Sequence, residues 1–303
     1  MGGGSRLNPT PMGGIEAAPP QHIMSISGPA AAGALAFYAD ALAVLKRGSL
    51  EFLVGGGFAL ERYTGIARDT KDLDVFVRPR DRTDALDALG AAGYHTAVAY
   101  PHWLGKAQCG DHILDVIWSS GNGVTTVDDL WFRHAVGADV LGVPVHLNPV
   151  EEMIWSKSFV MERERFDGAD VAHLLDAQGR RLDWDRLLWR FGRHWRVLLS
   201  HLVLFGFIYP GRRPIVPAPI MRELLGRLKA EGDAPGEPDR LCQGTLLSRK
   251  QYLPDINDLG YEDARLVPRG DMTPDEVSWW TQAIDEAPQC LAALDDHANC
   301  RTR

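Results

Sequence analysis

The chain predicts an α+β fold, with a small mixed β-sheet flanked by helices, then a helical region and a C-terminal extension. Three observations carry that expectation. Residues 52–77, FLVGGGFALERYTGIARDTKDLDVFV, read as strand, glycine turn, short helix, loop and strand. Further β-rich stretches follow at 94–100, 112–118 and 138–147. From Pro149 to Tyr209 the pattern changes to helix after helix.

At 303 residues the chain has room for two domains, or for one domain with a substantial extension. Its 45% hydrophobic and 24% charged residues are those of an ordinary soluble globular protein. A net charge of −8 argues against a surface coated in basic residues for nucleic acid, although it leaves room for a local basic patch. Four cysteines, Cys109, Cys242, Cys290 and Cys300, show no metal-ligand spacing and read as reduced thiols in a cytoplasmic protein. The longest apolar run, at 197–209, is too short to span a bilayer and contains His201, so no membrane partner is expected.

Residues 1–28 begin with glycine and proline where a signal peptide would need an apolar core, and they read as a disordered tail. A helix over 30–48 follows, with basic residues in its last turn and Gly48 placed to end it. The first strand, 51–54, runs into Gly55, Gly56 and Gly57, where absent Cβ atoms let a ligand approach the main chain. In the second strand, 72–77, Asp72 and Asp74 alternate with Leu73 and Val75, which puts both carboxylates on one face. Asp81 is placed to cap a helix through about Ala92, with Gly93 closing it before the strand at 94–100. Residues 103–108 give no clear pattern. The run HILDVIW from His112 is a strand with Asp115 at its centre, a carboxylate costly to bury unless something pairs with it.

A helix around 127–135 and a hairpin over Gly142 complete the first domain, at 29–148. Asn148 then stands where a helix cap belongs, with Pro149 at the first helical position and Glu151 and Glu152 in the first turn. Helices over 149–165, 167–178, 183–191 and 193–208 form a helical region at 149–209. The remainder, 210–303, is an extension with a helix near 220–230, a linker near 231–239 and a helix starting at Thr273 and Pro274.

If the strand of Asp115 lies beside that of Asp72 and Asp74, three carboxylates converge at one end of the glycine turn. Such a set suits hard divalent cations, most simply magnesium, which keeps positions open for phosphate oxygens. Two ions can clamp an in-line nucleotidyl displacement, and backbone N–H groups at a helix start can seat phosphates.

The pattern of Gly-Gly, a short helix and then Arg68-x-Thr70-x-Asp72-Leu-Asp74 resembles the DNA polymerase beta-like nucleotidyltransferase superfamily. It is most similar to the small bacterial branches, which include minimal, toxin–antitoxin and antibiotic nucleotidyltransferases. The resemblance covers roughly 50–180. It implies that Gly55 and Gly56 hold a triphosphate, that Asp72 and Asp74 bind two Mg2+ ions, and that Asp115 completes the catalytic and metal site. It also implies that Lys157 reaches nucleotide phosphates, while Arg163 or Arg165 and Asp170 support the following helix. Many members have Gly-Ser at the loop, where this chain has Gly55, Gly56 and Gly57. The implied activity is transfer of a nucleoside monophosphate from an NTP to an acceptor hydroxyl. The acceptor can be a small molecule, RNA or protein. A non-catalytic nucleotide-binding or antitoxin-like module with the same fold is the competing expectation.

Other features have two readings each. Arg62, Arg68 and Lys71 flank the turn and can neutralise a triphosphate, though a solvated basic loop explains each as well. His194 and His201 share a helical face but have no third ligand in view. In 180–196, interleaved arginines and aromatics suit either an RNA-stacking surface or a helix pair burying Trp184, Leu187, Leu188 and Trp195, the favoured reading. Residues 243–261, with Arg249, Lys250 and Tyr252, suit a substrate-contacting flap or a packed extension.

Overall fold

The protein is described from a computed structural model covering residues 29–67, 70, 72–232 and 240–282. The tail at 1–28 therefore lies outside the described residues, as do Arg68, Lys71 and most of the linker near 231–239.

The fold is α+β. Helix α1 (Pro29–Arg47) leads into strand β1 (Leu53–Val54), helix α2 (Gly56–Thr64) and strand β2 (Asp72–Phe76). Helix α3 (Arg82–Ala91), strands β3 (His95–Tyr100), β4 (Leu104–Cys109) and β5 (His112–Ile117), and the short helix α4 (Asp129–Arg133) follow. Strands β6 (Val136–Val140) and β7 (Val143–Leu147) close the seven-stranded sheet, in the order β3-β4-β5-β2-β1-β7-β6. The sheet is mixed: β2 runs parallel to β5 and β1 parallel to β7, while the other neighbours are antiparallel.

Each side of the sheet has its own composition. Leu73, Val75, Leu114 and Val116 are fully buried and join Leu42 and Leu45 of α1 and Leu89 of α3 in the main core. The opposite side carries Asp72, Asp74 and Asp115, and farther along the same strands Phe76 and Ile117 enter a second apolar cluster with Tyr100 and Leu104.

The helical region comprises α5 (Val150–Ser158), α6 (Gly168–Gln178), α7 (Trp184–Phe191) and α8 (Trp195–Ile208), and α9 (Ala218–Gly232) packs on α8. Helix α5 ends seven residues earlier than 149–165 because the chain after it is drawn aside. Met161 bridges to Phe166 and donates its N–H to the Leu247 carbonyl at 3.0 Å, and Glu162 accepts from the Ser248 hydroxyl at 2.5 Å. Asn148 does not cap α5 with its side chain. Pro149 is the capping residue, one position later in the chain than expected. Asp81 likewise precedes α3 without a side-chain cap, its carboxylate turning to Arg78 at 3.4 Å.

The extension adds strand β8 (Leu241–Cys242), helix α10 (Leu253–Asn257), strand β9 (Glu262–Asp263) and helix α11 (Pro274–Gln282). Thr273 and Glu276 form a reciprocal capping box at the start of α11: the Thr273 N–H donates to Glu276 at 2.8 Å and the Glu276 N–H to the Thr273 hydroxyl at 3.3 Å. Trp280 of α11 meets Tyr100 edge to face at 4.9 Å and Trp103 at 5.2 Å, closing the far end of the second apolar cluster. Arg249 lies over the Trp280 ring at 4.4 Å, and Asn122 donates to the Leu246 carbonyl at 2.6 Å. Residues 244–249 thus pack against the rest of the chain, while most of 250–261, Tyr252 included, is exposed.

The expectation of four reduced thiols is corrected at Cys109, which is disulfide-bonded. Cys109 ends β4, half-buried, and linear spacing carries no information on which thiols meet there. Cys242 is free, and Cys290 and Cys300 lie outside the described residues. No helix among the described residues is long and apolar enough to cross a membrane.

Candidate active site

The site is built by one register. In the parallel β2–β5 pair, Asp74 lies opposite Asp115 and Asp72 opposite Ile113, so the three carboxylates emerge on one face of the sheet. Strand β4 continues the row on the other side of β5, with Lys106 opposite Asp115 and its Nζ donating to Asp115 Oδ1 at 2.6 Å. The unpatterned stretch at 103–108 is therefore a central strand, and its Lys106 is the cation that the buried Asp115 requires.

The glycine turn closes against the same row. The Gly55 N–H donates to the Asp74 carbonyl at 3.0 Å, so that donor is spent on the sheet and is not offered to a ligand. The first intrahelical bond of α2 runs from the Ala59 N–H to the Gly55 carbonyl at 3.1 Å, which leaves the N–H groups of Gly56, Gly57 and Phe58 ahead of the helix's first donor. Each glycine is required by a different neighbour. A Cβ on Gly55 would strike Phe76 and Asn148, one on Gly56 would overlap the Asp74 carboxylate, and one on Gly57 would meet the methyl of Thr70. Gly56 also has φ +54°, in the left-handed region. Gly56→Ala is expected to destabilise the protein by about 1–2 kcal/mol from the backbone alone and to displace Asp74. A thermal melt beside a nucleotide-binding titration checks both effects.

Charge in the row is only partly compensated. Burial, then the charges of Asp72 and Asp115, push the Asp74 carboxyl up to about 7, against the opposing influence of Lys157 and Arg165. Burial also raises Asp115, opposed by Lys106. Burial first, then the charges of Asp72, Asp74 and Asp115, lifts the phenol of Tyr38 on α1 to about 12. Nothing in the helical pattern of α1 distinguishes Tyr38 from a packing residue.

Lys157, on α5, donates to Asp167 at 3.0 Å and to Asp170 at 2.8 Å, while Arg165 forks onto Asp167 at 3.0 and 3.1 Å. The lysine is thus a fixed charge near Asp74, held from behind by α6. Arg163 points away, paired with Glu164 in solvent. Thr70 lies beside the turn with its hydroxyl oxygen buried and without a hydrogen-bond partner. Arg62 is exposed on α2.

The donor chemistry fits a hard divalent cation. Three carboxylates share one face, and burial followed by mutual repulsion keeps Asp74 reluctant to ionise. Among the described residues no three acidic, histidine or cysteine side chains form a ready-made metal cage. With Asp115 held by Lys106, a magnesium ion there would rest on Asp72 and Asp74 and take its other ligands from substrate oxygens and water, its ordinary habit in phosphate sites.

The remaining candidates are structural. His201 is buried and bonded to the Ser158 carbonyl at 3.0 Å, and His194 packs on Phe159. In 180–196, Leu187 and Trp195 are buried, Trp184 and Leu188 are half-buried against the same core, and Arg186 and Arg190 bond to Glu152, so these residues pack as helices.

No protein-family model matches the chain, and no curated protein matches it either. Among solved structures, the antibiotic-resistance factor ANT(2'')-Ia in solution is 18% identical, with 56% of this chain and 97% of that chain covered and a TM-score of 0.42. The lincomycin-bound lincosamide antibiotic adenylyltransferase LnuA is 14% identical, with 46% and 94% covered and a TM-score of 0.33. JHP933 from Helicobacter pylori is 12% identical, with 68% and 97% covered and a TM-score of 0.37.

Proposed function

We propose that the protein is a magnesium-dependent nucleotidyltransferase that moves a nucleoside monophosphate from an NTP to an acceptor hydroxyl and releases pyrophosphate. The observation that carries this reading is the in-register pair Asp74 and Asp115, with Asp72 on the same face and the start of α2 packed against Asp74.

Asp72 and Asp74 hold the metal, two ions when the site is fully loaded. Bound there, magnesium neutralises charge on the triphosphate and on the departing pyrophosphate. The N–H groups of Gly56 and Gly57 seat phosphate oxygens, with Thr70 beside them and Lys157 adding positive charge. Arg68 and Lys71 are proposed to add further positive charge to the triphosphate. Asp115 accepts the proton of the acceptor hydroxyl, the acceptor oxygen bonds to the α-phosphorus, and the bond from that phosphorus to the bridging oxygen of pyrophosphate breaks. Lys106 orients Asp115 for this step.

A second reading draws on the same ion pair. Because Lys106 already neutralises the third acid, the fold is also suited to holding a nucleotide without turning it over. Incubation with each labelled NTP, magnesium, and pools of RNA, protein and small-molecule acceptors separates the two. Labelled product with pyrophosphate release supports transfer. Nucleotide binding without magnesium dependence, and with no product from any pool, supports the binding module.

A further inference from the structure

We infer that Asn148 is a nucleotide-recognition residue whose side-chain carbonyl accepts a hydrogen bond from a sugar hydroxyl of the NTP. The inference rests on the nucleotide reading above and adds a determinant on the opposite flank of the glycine turn from Thr70.

The placement follows from strand pairing. Val54 of β1 lies opposite Leu147 of β7, so Gly55 and Asn148 leave the sheet side by side. The backbone of Asn148 is fixed at both ends: its N–H donates to the Val54 carbonyl at 2.9 Å, and its carbonyl accepts from the Tyr63 hydroxyl at 2.8 Å. Its side-chain Nδ2 fills the space where residue 55 would have a Cβ, next to the ring of Phe76. Phe76 shares its face with Asp72 and Asp74, so the Asn148 amide belongs to the acid face.

Asn148 is 2% exposed, and its Oδ1 has no hydrogen-bond partner. A buried amide oxygen left unbonded is costly, and here it does not cap α5 either. The oxygen is an acceptor, so it repels phosphate and takes an N–H or O–H donor. In a nucleotide seated at the turn, the sugar is joined directly to the α-phosphate and brings hydroxyl donors to that flank. The reacting hydroxyl of the acceptor, beside Asp115 in the proposed reaction, lies farther off. Asp115 is on β5, and Asn148 follows β7, three strand spacings or roughly 14 Å across the sheet.

The test compares kcat/KM for each ribonucleoside triphosphate with its 2′-deoxy and 3′-deoxy counterparts, in wild type, Asn148→Leu and Asn148→Ser. Wild type should favour the ribonucleotide over one deoxy analogue by about tenfold or more, and both variants should bring that ratio close to unity. The serine variant removes the reach of the amide while keeping a small polar side chain that cannot overfill the site, so it reports the ratio even if the leucine variant fails to fold. A ratio unchanged in a folded variant overturns the inference. So does a change confined to the ranking of the four bases, which would assign Asn148 to the base. Absence of turnover by wild type with every nucleotide and acceptor overturns the underlying function instead, before any substitution is made.

Discussion

Asp74→Asn is expected to reduce metal-dependent NTP turnover by at least about a hundredfold while leaving a folded protein that is more stable than wild type at pH 8. The two effects share a cause. Asp74 sits against the start of α2 and beside Asp72 and Asp115, an arrangement that lifts its carboxyl to about 7. A carboxyl whose folded value is raised above its unfolded one contributes stability at low pH and loses it as the pH rises. Between about 4 and 7 the folded protein keeps a proton that the unfolded chain has released, so stability falls across that window and levels off above it. After allowance for partial exposure of the carboxylate, the difference is roughly 2 kcal/mol. Denaturant melts of wild type and Asp74→Asn without metal at pH 5 and pH 8 isolate it: the gap between the proteins should open with pH. Equal gaps at both values would show that the acid row is not strained.

Glu152→Ala is expected to cost about 3–5 kcal/mol, the range for breaking a buried charge pair from one side. Glu152 is fully buried in α5, and Arg186 Nη1 donates to it at 2.5 and 2.7 Å and Arg190 Nε at 2.9 Å. Arg190 also forks onto Asp128 at 2.6 and 2.9 Å, and Arg186 pairs with Glu151, so the network ties the cap of α4 to α5 and α7. Without Glu152, two guanidinium groups remain buried with their charge poorly matched. A urea melt should show a lower midpoint with an unchanged slope. Replacing Glu152 and Arg190 together by Met should restore part of the loss, because Arg186 keeps Glu151 as a partner and the half-exposed Asp128 is left to solvent. A loss below about 1 kcal/mol for Glu152→Ala would show that the network is solvated.

The strand, glycine turn, helix and strand at the start of the site were legible in the sequence because each leaves a local mark. Alternation places Asp72 and Asp74 on one face, and three successive glycines signal a backbone that must be approached closely. The partner of Asp74 was not legible in the same way. Parallel strands β2 and β5 meet across α3, β3 and β4, and no local pattern fixes their register. Lys106 was missed because Gly105 and Gln108 break the alternation of β4, although that strand is paired on both sides. Asn148 has the composition of a helix cap, and only the β1–β7 pairing reveals that it serves the glycine turn. Helix α5 was read too long because the contacts that end it come from the extension, through Met161 and Glu162.

The central claim is that the acid face and the glycine turn together bind a metal–nucleotide complex. Titration of Mn2+ followed by its electron paramagnetic resonance signal, with and without a non-hydrolysable NTP analogue, tests it directly. Wild type should bind Mn2+ weakly alone and at least about tenfold more tightly with the analogue, and Asp72→Asn and Asp74→Asn should each abolish that enhancement. Mn2+ binding that is insensitive to the analogue, or that survives both substitutions, would contradict the account.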